Sequence, residues 1–160
     1  PRVRRINMST GEVTTLAGAP EGVSGNAVGY VDSVGTNASF SANFVNLTAR
    51  NDTLNIMDRL NRSIRGLNIA NAQVFTAAGD NLFDNVVYAY FDKTGSMICR
   101  QNRLKNEMVR VVSRTGPWPV IVDAQAAGFV DAVETTARFN NPLNAEVDTA
   151  SGDVFILGKK

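Results

Sequence analysis

Two acidic residues stand in the same local setting 99 positions apart, in Gly29-Tyr30-Val31-Asp32 and Gly128-Phe129-Val130-Asp131. Paired carboxylates are what general acid–base chemistry and calcium sites use. Their surroundings favour a plainer role. Each Asp follows Gly-aromatic-Val in a turn ahead of a strand, where its side chain can accept backbone N–H bonds. The rest of the available chemistry is narrow. The chain has no histidine and one cysteine, Cys99. That excludes Ser-His-Asp and Cys-His nucleophiles, His-ligated zinc, a cysteine-rich zinc cluster and an internal disulfide. No Gly-rich phosphate loop follows a strand. The expectation is a chain with no catalytic residue, no metal site and no cofactor, a weak calcium ion on Asp carboxylates being left open.

Arg62, Arg65, Arg100, Arg103, Lys105 and Arg110 form a loose basic series. Asp58, Asp80, Asp84, Asp92 and Glu107 interleave with them, and strand alternation scatters the cations over both faces. A solvated surface is expected. Lys plus Arg number 16 against 15 for Asp plus Glu, a net charge of +1, which argues against a polyphosphate-driven binder. Trp118, between Pro117 and Pro119, reads as a cap on the core beside a rigid turn, with an exposed interface anchor as the alternative. Asn-x-Ser/Thr triplets at Asn7, Asn37, Asn46, Asn51 and Asn61 are candidate glycosylation sites. Their clustering favours a secreted or cell-surface setting, and the lone cysteine weighs the other way. No apolar run approaches the roughly 18 residues that span a membrane. The chain opens on Pro1 rather than Met and without a charged-then-apolar leader, the expectation for an excised or processed product.

These residues must be positioned by strands. At 160 residues and 44% hydrophobic content the chain has the size of one domain with a core. Its apolar residues come in short runs: Val13 to Leu16, Leu54 to Met57, Val86 to Phe91, Met108 to Val112, Val120 to Val122 and Val154 to Leu157. Gly, Asn, Asp, Ser or Pro bounds each run. Ser9-Thr10-Gly11, Lys93-Thr94-Gly95 and Ala150-Ser151-Gly152 read as hairpin tips. No helical stripe emerges, and Met97 to Met108 is too polar and too poorly spaced to make one. The class is all-β: a sandwich, a barrel or a propeller.

Internal repeats choose among these. Arg5-Ile6-Asn7-Met8 through Val13-Thr14-Thr15-Leu16-Ala17-Gly18 returns 61 residues later as Gly66-Leu67-Asn68-Ile69 through Val74-Phe75-Thr76-Ala77-Ala78-Gly79. Gly29 to Val34 returns 99 residues later as Gly128 to Val133, and Asn37-Ala38-Ser39-Phe40 as Thr136-Ala137-Arg138-Phe139. The longer offset is about twice the 40 to 50 residues of a propeller blade. The order of motifs resembles the NHL-repeat β-propellers. It is carried by RRINMSTGEVTTLAG at 4–18, GYVDSVGTNASF at 29–40 and GFVDAVETTARFNNPLNAEVDTASGDVFIL at 128–157, with Ile56-Met57-Asp58 through Asn61 to Ile64-Arg65 between. The likeness is weak over 80–122.

The resemblance implies a propeller arc of about three four-stranded blades. Residues 29–79 would form one blade and 80–122 a degenerate one. Residues 1–18 would supply the outer strands, and 128–160 the inner strands, of a blade shared between chains. Gly29, Tyr30, Asp32, Phe40, Gly128, Phe129, Asp131 and Phe139 are its structural repeat motif, the four aromatics filling the space between sheets. A homodimer would close a six-bladed ring, the alternative being a fragment of a larger propeller whose parent supplies the missing blades. The implied function is a non-enzymatic interaction module for a protein, peptide or glycan. The alternatives are an RNA-binding propeller, some NHL relatives using a basic face that way, or part of a hydrolase or lyase whose site lies in other blades. The His-dependent zinc lyases of the family cannot be carried across to a chain without histidine.

Overall fold

A computed structural model of the chain describes residues 1–19, 28–79, 89–91, 97–100, 108–111, 120–122, 127–133, 136–140, 142, 144–148 and 150–157. Among these the fold is all-β, as expected. In chain order the strands are β1 (Arg2–Ile6), β2 (Val13–Gly18), β3 (Phe44–Arg50), β4 (Thr53–Asp58), β5 (Ser63–Asn68), β6 (Val74–Ala78), β7 (Ala89–Phe91), β8 (Met97–Arg100), β9 (Met108–Val111), β10 (Val120–Val122), β11 (Asn144–Val147) and β12 (Val154–Leu157). One 3-10 turn, Gly35–Asn37, interrupts them. Two four-stranded meanders, β3-β4-β5-β6 and β7-β8-β9-β10, lie between the two-stranded hairpins β1-β2 and β11-β12. Every strand pairing is antiparallel. No helix among the described residues is long and apolar enough to cross a membrane. Lys93-Thr94-Gly95, Trp118, Arg103 and Lys105 lie outside the described residues, as do the side chains of Arg100 and Arg110.

The main core joins three pieces of chain. Val3 and Ala17 come from β1-β2, Ala38 and Phe40 from the segment before β3, and Ile56, Leu67 and Val74 from the second sheet. Leu16, Leu54 and Ala72 pack around them. Burial of each large aliphatic or aromatic side chain here contributes about 1.5–3 kcal/mol, enough to hold a hairpin against a sheet to which it is not hydrogen-bonded. A second cluster sets Tyr90 of β7 against Ala145, Val147, Val154 and Ile156 of β11-β12.

Both repeats are visible in the backbone. In β1-β2 the pairs Val3↔Ala17, Arg4↔Thr15, Arg5↔Thr14 and Ile6↔Val13 match Ile64↔Ala78, Arg65↔Thr76, Gly66↔Phe75 and Leu67↔Val74 of β5-β6. Even the register irregularity recurs, between Val3 and Arg4 and between Ile64 and Arg65. At the tips the Asn7 amide donates to the Glu12 carbonyl at 2.8 Å and the Asn68 amide to Gln73 at 2.9 Å. The Asn7 side chain accepts from the Ser9 and Thr10 amides, as Asn68 does from Ala70 and Asn71. The β11-β12 tip uses Asp148 in the same way, its amide donating to the Asp153 carbonyl and its carboxylate accepting from Ala150. The left-handed residue is Gly11, Ala72 or Gly152, so an Asx turn and one positive φ suffice to make each hairpin.

The 99-residue repeat is as faithful. Gly29 donates to Phe40, and Val31 and Ser39 exchange two bonds; Gly128 donates to Phe139, and Val130 and Arg138 exchange two. Asn37 closes on Val34 at 3.2 Å, and Thr136 closes on Val133 at 3.3 Å.

Two predictions follow from the turns. Gly79 has φ +125° and an added Cβ would lie 2.7 Å from Ser63 Cα, whereas Gly11 has φ +73° and open space around it. Gly79→Ala should cost at least about 3 kcal/mol in urea unfolding, and Gly11→Ala only about 1 kcal/mol. Equal losses would contradict this account. The Asp148 carboxyl is held below its ordinary range, first by the Ala150 amide and then by Ser151. A depressed folded pKa stabilises above the unfolded value and loses that stability as pH falls through the folded one. Carboxyl NMR titration should therefore place Asp148 below an ordinary Asp, and Asp148→Asn should flatten its small acid-side loss of stability.

Candidate functional site

Arg65 was expected on a solvated surface, and that expectation fails. The side chain is fully buried in β5. Strand alternation explains the error physically: the residue faces the segment 29–41, which crosses over the sheet and brings its own acceptors. The guanidinium lies between two carboxylates. Nη1 donates to Asp58 Oδ2 at 3.1 Å, and Nε and Nη2 donate to Asp32 Oδ1. The remaining N–H groups donate to the carbonyls of Ser39 at 3.1 Å and Val31 at 2.9 Å. Guanidinium has five N–H donors, and all five have an acceptor. Its faces are also covered, with Cζ 4.7 Å from the Tyr30 ring centre and 5.3 Å from that of Phe40.

The acids are in turn fully used. Asp58, also buried, accepts from the Ser41 amide at 2.9 Å and from Asn61 Nδ2 at 2.8 Å. Asp32 accepts the Thr76 amide at 2.8 Å through its second oxygen, the backbone bond its setting predicts. Tyr30 Oη pairs with Thr76 Oγ1 at 3.0 Å. Asn61 Nδ2 also reaches the Gly29 carbonyl at 2.6 Å. The cluster ties segment 29–41 to β4, β5 and β6. Its charged groups are all hydrogen-bonded to neighbours, while the buried hydroxyls of Ser39 and Ser63 beside it have no partner among the described residues.

The two copies of the motif part company here. Phe40 is in the core, as expected, and Phe139 is half-buried. Tyr30 and Phe129 do not fill an inter-sheet space: Tyr30 remains 40% exposed and Phe129 is 63% exposed. The reason for Tyr30 is its task, because a ring covering a guanidinium must lie at the mouth of the crossing rather than beneath it. Gly29 lies against Ser39, whose Oγ would be 2.6 Å from an added Cβ, and Gly128 lies 3.3 Å from Arg138 in the same sense. Asp131 is exposed, and Arg138, where the first copy has Ser39, is bonded through its backbone to the neighbouring Val130. The two acids share a backbone setting, not a site.

Among the glycosylation candidates, Asn7, Asn37 and Asn51 are exposed and Asn46 is half-buried, its Nδ2 3.4 Å from the Ala89 carbonyl. Asn61 is the exception to the expectation. The nitrogen a glycan would occupy holds two hydrogen bonds inside the Arg65 cluster. Among the described residues no group of three His, Cys, Asp or Glu side chains could hold a metal ion. No family model and no curated protein matches this chain.

Removing one partner of a buried, fully bonded ion pair leaves an uncompensated charge, at about 3–5 kcal/mol. Arg65→Met should lose that much in equilibrium unfolding, and Arg65→Lys nearly as much, because an ammonium cannot reproduce the planar fork. Asp32→Asn should lose about 1 kcal/mol, since this carboxylate is partly screened by solvent. A near-neutral Arg65→Met would remove the cluster from any structural role.

Proposed function

We propose that this chain is an NHL-type β-propeller arc of about three four-stranded blades, closing a six-bladed ring as a homodimer, and that it serves as a non-enzymatic interaction module for a protein or peptide. One observation carries the functional part. The repeated segment bonds its backbone internally and leaves the same apolar side chains in solvent in both copies: Val31 and Val34 at 48% and 50% exposed, Val130 and Val133 at 43% and 78%. Single exposed valines need no explanation, but two pairs at equivalent positions form a repeated apolar surface. A loop whose backbone is already bonded loses little conformational freedom when it is covered. Such a surface suits an apolar partner segment. Its one cation across the two copies, the exposed Arg138, is little to offer a phosphate backbone.

The test is selection of a random peptide library on the chain. Selected peptides should carry aliphatic or aromatic anchors. Their affinity should fall at least about 10-fold, roughly 1.4 kcal/mol, in the double variant Val34→Asp, Val133→Asp with unchanged circular dichroism. Peptides indifferent to both substitutions would contradict the proposal. So would retention of a random RNA pool on nitrocellulose at moderate salt, which would favour the nucleic-acid alternative.

A further inference from the structure

Segment 29–40 is followed by a hairpin, β3-β4, and then by a second hairpin, β5-β6, in the same sheet. Segment 128–139 is followed by the hairpin β11-β12, which has no further strand beside it among the described residues. The hairpin equivalent to β5-β6 exists, but at the other end of the chain: β1-β2 repeats β5-β6 pair for pair, irregularity included. It too is a two-stranded sheet among the described residues. Each half lacks what the other has.

Three side chains of the Arg65 cluster also have counterparts, although the buried Asp58 has no acidic equivalent in β12. Arg4 stands where Arg65 stands, directly after the register irregularity and opposite Thr15 as Arg65 is opposite Thr76. Asp131 stands where Asp32 stands, in a segment with the same backbone bonds. Phe129 takes the place of Tyr30, the ring on which Arg65 lies, and it is 63% exposed. Arg4 and Asp131 are both exposed. The β11-β12 hairpin leaves Phe155 and Leu157 in solvent, beside a recess of about 340 Å³ lined by Asn144, Ala145, Glu146, Phe155, Ile156 and Leu157.

We propose that the β1-β2 hairpin of a second copy of this chain completes the β11-β12 sheet, with Arg4 of that copy held by Asp131 and covered by Phe129. The junction deepens the homodimer reading above and rests on it. In it β1 runs antiparallel along β12 as β5 runs along β4. Asp131 accepts the guanidinium of Arg4 through one oxygen and the Thr15 amide through the other, as Asp32 does with Arg65 and Thr76. The junction occurs twice in a two-fold assembly, and its unpaired edges disappear.

The experiment is light scattering on the full 160-residue chain and three samples derived from it. The unaltered chain at micromolar concentration should show twice its 17.2 kDa mass. Arg4→Asp alone and Asp131→Arg alone should each weaken self-association at least about 10-fold. Both residues are exposed, so each variant should keep the parent circular dichroism, and Arg4→Glu, an acid at the same position, serves in place of Arg4→Asp if it does not. An equimolar mixture of the two variants should regain the dimer, because every junction then joins one Asp to one Arg. A folded, unaltered chain of single mass overturns the dimer and the junction together. A dimer unaffected by the charge reversals, or variants whose mixture stays monomeric, overturns the junction alone and leaves the ring reading standing. Peptide binding by the valine surface is measured separately and fails or holds independently of all three.

Discussion

One buried guanidinium sets the terms for the sheet β3-β4-β5-β6 and the segment that crosses it. A charge taken out of water costs several kcal/mol, and only complete pairing offsets it. Arg65 meets that demand with two carboxylates, two carbonyls and two aromatic faces. The acceptors come from segment 29–41 and strand β4, so they reach the guanidinium only when the segment crosses the sheet at one place and in one register. Apolar contacts of Phe40 and Ala38 with Ile56, Leu67 and Val74 hold the layers together, but they tolerate sliding. The ion cluster does not. Its contribution is less to net stability than to allowing a single arrangement.

Much of the fold was legible because strands and turns are local. Val120–Val122 and Val154–Leu157 are strands over the very residues of their apolar runs. The tips at Asn7, Asn68 and Asp148 follow from an Asx side chain ahead of a residue that accepts positive φ. The 61-residue repeat proved to be a repeat of register, down to one irregularity.

Arg65 was illegible for a physical reason. A cation in a strand is solvated unless something distant in sequence covers it, and its acceptors Asp32, Val31 and Ser39 lie 26 to 34 residues away. Grouping it with Arg62 and the cations of 100–110 treated charge as a surface property. A signal was nonetheless present. Arg65 lies in the run Ser63-Ile64-Arg65-Gly66-Leu67, whose neighbours are small or apolar and whose every residue is buried. Gly66 is turned by strand alternation to the opposite face, where the Phe75 ring lies in the space its side chain would take. The exposure of Tyr30 was hidden in the same way, because an aromatic ring that covers a cation follows the cation rather than the apolar core.

The two copies of segment 29–40 separate what backbone geometry does from what side-chain chemistry does. Their hydrogen bonds agree within a few tenths of an ångström, although one copy has a buried arginine beneath it and the other has none among the described residues. The loop shape is therefore intrinsic, made by its own glycine, its bridge and its one-turn closure, and Arg65 does not induce it. What the ion cluster adds is attachment. It follows that the Asp at the fourth position of the motif is held in readiness by its own backbone, whether or not a guanidinium occupies the space before it. With the backbone already set, the ordering cost of a contact with an arriving cation falls on the two side chains alone.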